Sequence, residues 1–195
     1  WKEAGIDALI CCGYYYRIPV DEKLPMVNIH PALLPKGRGA WPMPVTLLEG
    51  LRESGITIHK MTDDFDEGDI LSQKAVPVMP EDTLQTLPAR LQTLLPGMMA
   101  ELASDFCHLY EMARPQGEGE YWPCPEESNY PVTPDMDVSE ADRILRAFYG
   151  YECIYRNRDE IYGVMEGRAY PAVYGGEKGL PVRGGTIVAR RVRKL

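Results

Sequence analysis

Four residues in the first seventy have types and spacings that could handle protons and charge: Asn28, His30, His59 and Asp66. Asn28 and His30 close the apolar run "PMVNIH" (25–30) and sit two apart. In an extended strand, positions i and i+2 share a face, so the amide and the imidazole are expected side by side where the chain leaves a sheet. An amide N–H and a protonated imidazole can both donate to an oxygen that becomes negative in a tetrahedral intermediate. Loss of one such donor typically costs on the order of 10²–10³ in rate. A neutral imidazole can instead take a proton from an attacking amine or hydroxyl. Neither role needs a nucleophilic side chain and none stands out, which favours direct transfer or hydrolysis over a covalent acyl-enzyme. His59 precedes Asp66 by seven residues, across the acidic turn "TDDFDEG" (62–68). An Asp returning towards an imidazole can fix its tautomer and raise its pKa. Taken singly, His59 reads as a site wall, His108 as structural or exposed, and Asp63, Asp64, Glu67 and Asp69 as a solvated turn.

The elements that must position these residues follow from periodicity. "IDALICC" (6–12) and "PMVNIH" (25–30) are short apolar runs of the kind that form buried strands in a parallel sheet. "GYYYRIPVDEKL" between them reads as a loop, and "WPMPVTLLEGL" (41–51) as a helix entered through prolines. "GITIHKM" (55–61) alternates and is β-branched; "DILSQKAVPV" (69–78) should pair with it. From Pro80 to Met112 runs a long helical pattern that Pro88 and Pro96 should kink or divide. The Pro-, Gly- and Glu-rich stretch from Ala113 reads as a linker. Ser139 with Asp142 resembles a capping box for "SEADRILRAF". Short alternating segments after Gly150 predict a small appended β-structure. The expected division is 1–112 for the catalytic core, 113–136 for the linker and 137–195 for a helix plus a small β-barrel-like subdomain.

Bulk composition narrows the function. The 195 residues carry a formal charge of -8 with 45% hydrophobic residues, which supports a sizeable core and argues against a surface that grips nucleic acid everywhere. The last nineteen residues hold six Lys or Arg against one Glu, so a local anionic contact stays open beside a solvated tail. Five cysteines, with no CxxC pair and no zinc spacing, suggest a reduced, cytoplasmic protein. Cys11 and Cys12 are expected as buried free thiols. No run approaches membrane-spanning length, and there is no phosphate-binding glycine loop or nucleophile elbow.

Two separated motifs carry a specific resemblance. "VNIHPALLPKGRGAWP" followed by "SGITIHKMTDDFDEGDIL" resembles the formyltransferases that use 10-formyltetrahydrofolate. Their pattern has Asn-x-His at a strand end, a Ser-Leu-Leu-Pro loop, then Gly-x-Thr-x-His and an Asp-x-Gly turn. Here these are Asn28, His30, Ala32–Pro35, Gly55, Thr57, His59, Asp66 and Gly68, with Ala32 where Ser is common. The resemblance implies an α/β fold: a Rossmann-like formyltransferase domain with a small C-terminal β-rich appendage. It implies that the N-terminal strands of that sheet are absent from these residues, which begin at Trp1. It implies 10-formyltetrahydrofolate as formyl donor and a primary amine as acceptor, with Asn28 and His30 stabilising the oxyanion. Asp66 would assist proton movement and bias His30 towards its charged form. Tyr16, Arg17 and Ile18 would hold the pterin ring, completed by Thr62, Asp63 and Asp64. The tail beyond Pro134 resembles a shortened C-terminal domain of methionyl-tRNA formyltransferases, which makes initiator methionyl-tRNA one candidate partner. Sugar-nucleotide amines and glycinamide ribonucleotide are the others. A formyltetrahydrofolate hydrolase and a non-catalytic folate-binding module are the readings of a different class.

Overall fold

A computed structural model describes residues 5–14, 16–172 and 179–195. Tyr15 of the expected pterin loop and residues 173–178 of the expected C-terminal subdomain lie outside the described residues. The chain divides into two compact units: the first comprises Trp1–Pro42, Glu53–Pro77 and Pro88–Cys124, the second Met43–Arg52, Val78–Leu87 and Pro125–Leu195.

The first unit is built on a four-stranded sheet. β1 (Leu9–Cys12) runs parallel to β2 (Met26–His30), as the two apolar runs predict. β3 (Lys36–Arg38) follows; α1 (Pro42–Leu48) starts at the proline, which is tolerated in the first turn, and from Met43 on belongs to the second unit. β4 (Glu53–Lys60) and β5 (Ile70–Pro77) form the expected hairpin, and β4 lies antiparallel to β2, giving the order β1-β2-β4-β5. The core of this unit includes Met26, Val27, Ile58, Leu91, Met98 and Leu102. β1 departs from the expectation of a buried strand: Cys11 is buried, but Ile10 and Cys12 are exposed.

The long helical pattern is three helices, α2 (Thr86–Gln92), α3 (Leu95–Ser104) and α4 (Phe106–Glu111). Pro88 and Pro96 each fall in the first turn of a new helix, where a missing N–H costs nothing. The break at Asp105 has no proline behind it; its backbone leaves the helical region at φ -143° and ψ 38°. The Pro/Gly-rich segment is not free chain. Arg114 exchanges both backbone hydrogen bonds with Ile70, β6 (Glu120–Tyr121) pairs parallel with β3, and Trp122 is buried.

In the second unit, α5 (Val138–Ala147) is capped by Asp137, whose carboxylate accepts from the Ser139 N–H, so the cap lies two residues before the Ser139 expected from the sequence. Asp142 instead binds Arg146 at 2.9 Å and Arg168 at 2.8 Å. The appended β-structure is an antiparallel sheet of β7 (Cys153–Asn157), β8 (Glu160–Tyr170), β9 (Leu180–Val182) and β10 (Gly185–Lys194), in the order β7-β8-β10-β9. Among the described residues, no helix is long and apolar enough to cross a membrane.

Register in the first sheet explains the Gly-x-Thr-x-His motif. Asn28 lies opposite His59, His30 opposite Thr57, and Thr57 opposite Gln73. Directly opposed residues share a face, so one face of the sheet carries a polar row. A Cβ on Gly55 would come within 2.3 Å of Leu33 and of the Lys74 carbonyl, so only glycine fits there. Thr57 is fully buried: its Oγ1 donates to the Ala32 carbonyl at 2.6 Å and accepts from the Leu34 N–H and the Gln73 amide. It thereby holds the loop after His30, in which the Leu34–Pro35 peptide is cis. Thr57→Val leaves these buried polar groups without their partner, a loss of about 1–3 kcal/mol. It should appear as a lower urea midpoint of unfolding.

Candidate active site

The polar row ends at one carboxylate. The Asp66 side chain is 10% exposed. Its Oδ2 accepts from the Gly39 N–H at 2.9 Å. Its Oδ1 lies 3.3 Å from Nδ2 of Asn28, 3.4 Å from Nε2 of His59 and 3.5 Å from Nδ1 of His30. The pair expected side by side at the strand end is therefore part of a cluster of four, two buried imidazoles with a half-buried amide and carboxylate, with His59 as a full member rather than a wall.

Hydrogen bonds to carbonyls set the tautomers. Nε2 of His30 is 2.7 Å from the Gly37 carbonyl, and Nδ1 of His59 is 2.8 Å from the Lys60 carbonyl. A carbonyl can only accept, so each of these nitrogens carries a hydrogen. In the neutral rings, Nδ1 of His30 and Nε2 of His59 are then the lone-pair nitrogens, and both face Asp66. Nδ2 of Asn28 is also 3.3 Å from Nε2 of His59, so the amide's two hydrogens are turned inward, towards His59 and Asp66. Serving an outside oxygen requires one of them to turn away.

Charge follows from this packing. Burial pushes the Asp66 carboxyl up, but the neighbouring His59 and His30 rings, in their protonated forms, and the hydrogen bond from the Gly39 N–H together bring it below its ordinary value. Burial pulls His30 down; Asp66 and the Gly37 carbonyl oppose that but do not overcome it, and the imidazole lies below its ordinary 6.5. The expectation that Asp66 biases His30 towards its charged form holds for the direction of the Asp66 effect, and burial outweighs it. At neutral pH the geometry therefore presents an ionised Asp66 and a neutral His30 whose free lone pair is Nδ1.

The glycine loop after the strand is part of the site. Gly37 and Gly39 have φ of 83° and 120°, where side chains are disfavoured, and a Cβ on Gly39 would lie 2.4 Å from the Trp122 carbonyl. Between them Arg38 is buried, with Nη1 3.1 Å from Glu67. Sequence reasoning missed Arg38, Gly39 and Gln116 as site-supporting residues. The Gly-x-Gly spacing around Arg38 was the available signal for the first two; Gln116 had none.

The residues expected to hold a pterin ring lie on two loops that touch. Nη2 of Arg17 donates to the Asp63 carbonyl at 2.8 Å, tying the loop after β1 to the acidic turn. Tyr16 and Phe65 are exposed, and Thr62 closes its own turn through the Asp64 carbonyl at 2.8 Å. Ile18 is half-buried and Asp64 exposed.

These features define an α/β protein with an Asn/His/His site at paired strands, organised by one aspartate in the turn between β4 and β5. A family model described as formyl transferase matches residues 2–102, and the chain belongs to that family. It is 31% identical over 160 residues to the methionyl-tRNA formyltransferase of Ehrlichia ruminantium (strain Welgevonden), covering 80% of this chain and 52% of that protein. The chain thus spans about half the length of the curated relatives it matches. Among solved structures, the methionyl-tRNA formyltransferase from Clostridium thermocellum aligns with a TM-score of 0.68 at 18% identity, covering 100% of this chain and 80% of that one. HypX from Aquifex aeolicus in complex with tetrahydrofolic acid aligns at 0.74 and 17% identity, covering 96% and 36%. Both share the Rossmann-like fold.

The depressed His30 pKa has a consequence for stability. Below about pH 6.5 the unfolded chain binds a proton that folded His30 resists, so this contribution is full above 6.5 and is lost as pH falls. Asp66, also depressed, acts in the same direction, but only near and below its ordinary 3.8. Urea midpoints should therefore fall between pH 7 and pH 5, and His30→Gln should make that fall shallower. An unchanged slope in the variant would contradict the assignment.

Proposed function

We propose that the full-length protein transfers a formyl group from 10-formyltetrahydrofolate to a primary amine. The observation that carries this reading is the Asp66-centred cluster, in which Nδ1 of a neutral His30 is the available base. The bound folate would supply a formyl carbon attached to a nitrogen that can leave. Loop residues Tyr16, Arg17 and Ile18 and turn residues Thr62, Asp63 and Asp64 would hold it, and the Arg17–Asp63 contact supports this by keeping loop and turn together. The acceptor nitrogen attacks the formyl carbon and Nδ1 of His30 takes its proton, directly or through water. The imidazolium so formed is stabilised by Asp66 and, with an N–H of Asn28, donates to the negative formyl oxygen. Returning the proton to the folate nitrogen breaks the old C–N bond, so one C–N bond forms, one breaks and the proton count balances. Neutral His30 before attack and charged His30 after it join the two roles that the sequence left open.

The relatives' names point to methionyl-tRNA as acceptor, but one observation favours a small amine, such as a sugar-nucleotide amine or glycinamide ribonucleotide. The cations of β10 are already matched: Arg190 and Arg191 with Glu166, Arg193 with Glu152 and Lys194 with Glu160. Four cations face three carboxylates, a local balance of +1, so a phosphate backbone would compete with a carboxylate at nearly every contact.

The test is release of tetrahydrofolate from 10-formyltetrahydrofolate against charged initiator methionyl-tRNA, glycinamide ribonucleotide, amino-sugar nucleotides and water alone. Release with one amine acceptor supports the proposal. Release with water alone would make the protein a hydrolase, and binding without release would make it a folate-binding module. His30→Ala should reduce turnover by at least about 10²-fold while folate affinity, measured by calorimetry, stays within a few-fold.

A further inference from the structure

The carboxamide of Gln116 is engaged at both ends. Its Nε2 donates to the carbonyl oxygens of Asp66 at 2.9 Å and of Gly68 at 2.6 Å. Its Oε1 accepts from Arg38, from Nε at 3.3 Å and Nη2 at 3.2 Å. Arg38 is fixed in turn by the Gly117 carbonyl at 3.1 Å and by Glu67 at 3.1 Å. The flanking Gly37 and Gly39 supply the carbonyl and the N–H that hold His30 and Asp66.

The turn that Gln116 grips needs an external hold. Asp66 has φ +58°, in the left-handed region that few non-glycine residues occupy. Two residues on, a Cβ at Gly68 would lie 2.0 Å from the Lys60 carbonyl, so the chain is pressed against β4. One amide with two donors sets the direction of both carbonyls, and with the peptide planes fixed the Asp66 side chain has one way to point.

We propose that Gln116, itself held by Arg38, is a positioning residue that fixes this left-handed turn and so aims the Asp66 carboxylate at Asn28, His30 and His59. Its effect on turnover rests on the formyl-transfer reading; its effect on the geometry of Asp66 does not. The titratable groups facing His30 are Asp66 and His59, so the His30 ring reports directly on where the carboxylate stands.

The test is a double-mutant cycle read by histidine ¹³C NMR titration on the full-length protein, with His30 assigned from its His30→Gln spectrum. Gln116→Met keeps the side-chain length, removes both donors and adds no charge. With Asp66 no longer aimed, the His30 midpoint should fall, because the carboxylate favours the imidazolium. The rate of tetrahydrofolate release should fall roughly ten- to a hundredfold, the usual consequence of a small misplacement. In an Asp66→Asn background the same substitution should change neither quantity further. An unmoved His30 midpoint, or an equal drop in both backgrounds, would mean that Gln116 merely ties its segment down, and would overturn the proposal. Should Gln116→Met not fold, Gln116→Asn, one methylene short of the turn, carries the same cycle. If the wild type releases no tetrahydrofolate, the formyl-transfer reading fails while the midpoints still decide the positioning role.

Discussion

Everything in the candidate site depends on keeping one carboxylate ionised and nearly dry. Burying Asp66 would by itself raise its pKa and favour the neutral form. The structure opposes this with N–H donors from the Gly39 backbone and the Asn28 amide, and with two imidazole nitrogens that favour the carboxylate when they carry a proton, all within 3.5 Å. No lysine or arginine takes part in that set. Compensation comes from hydrogen bonds and from groups whose own charge can change, so a proton can be shared within the cluster. A fixed ion pair in the same place would hold Asp66 as firmly and leave no room for proton transfer.

The supporting elements serve that carboxylate in ways set by sheet register. The antiparallel pairing of β2 with β4 puts Asn28 opposite His59 and His30 opposite Thr57; a shift of one residue would turn this row to the other face. Thr57 and Gln73 then fix the loop after His30, and that loop supplies the Gly37 carbonyl and the Gly39 N–H. The sheet thus orients the imidazoles, and the glycine loop and acidic turn orient the acid between them.

Much of this was legible in the sequence, for physical reasons that also mark where legibility stops. Asn28 and His30 showed themselves by a spacing of two in a strand, and Asp66 by returning past a tight turn after His59. The hairpin of β4 and β5 followed from alternation of β-branched residues. Four features were hidden. His59 looked like a mid-strand residue because its partner across β2 is set by register, which pattern does not give. Gln116 sits in a stretch whose Pro and Gly content reads as linker, yet it bonds to Arg38 across 78 residues of sequence. The cap of α5 fell on Asp137 because a carboxylate competes well with a serine hydroxyl for the same free N–H groups. Cys12, placed by its apolar surroundings in the interior, is exposed because a strand sends alternate residues to opposite faces.

In the proposed reaction the Asp66 carboxylate, rather than the imidazoles alone, makes the site competent. The most direct test of that role is single-turnover formyl transfer from 10-formyltetrahydrofolate by the full-length protein and by its Asp66→Asn variant, with formyl-donor affinity measured in parallel. Asparagine keeps the size and can still accept from the Gly39 N–H, but it cannot stabilise the imidazolium by charge. The variant should lose about 10²-fold or more in the transfer step, with donor affinity within a few-fold of wild type. Transfer at a near-wild-type rate in Asp66→Asn would contradict that role.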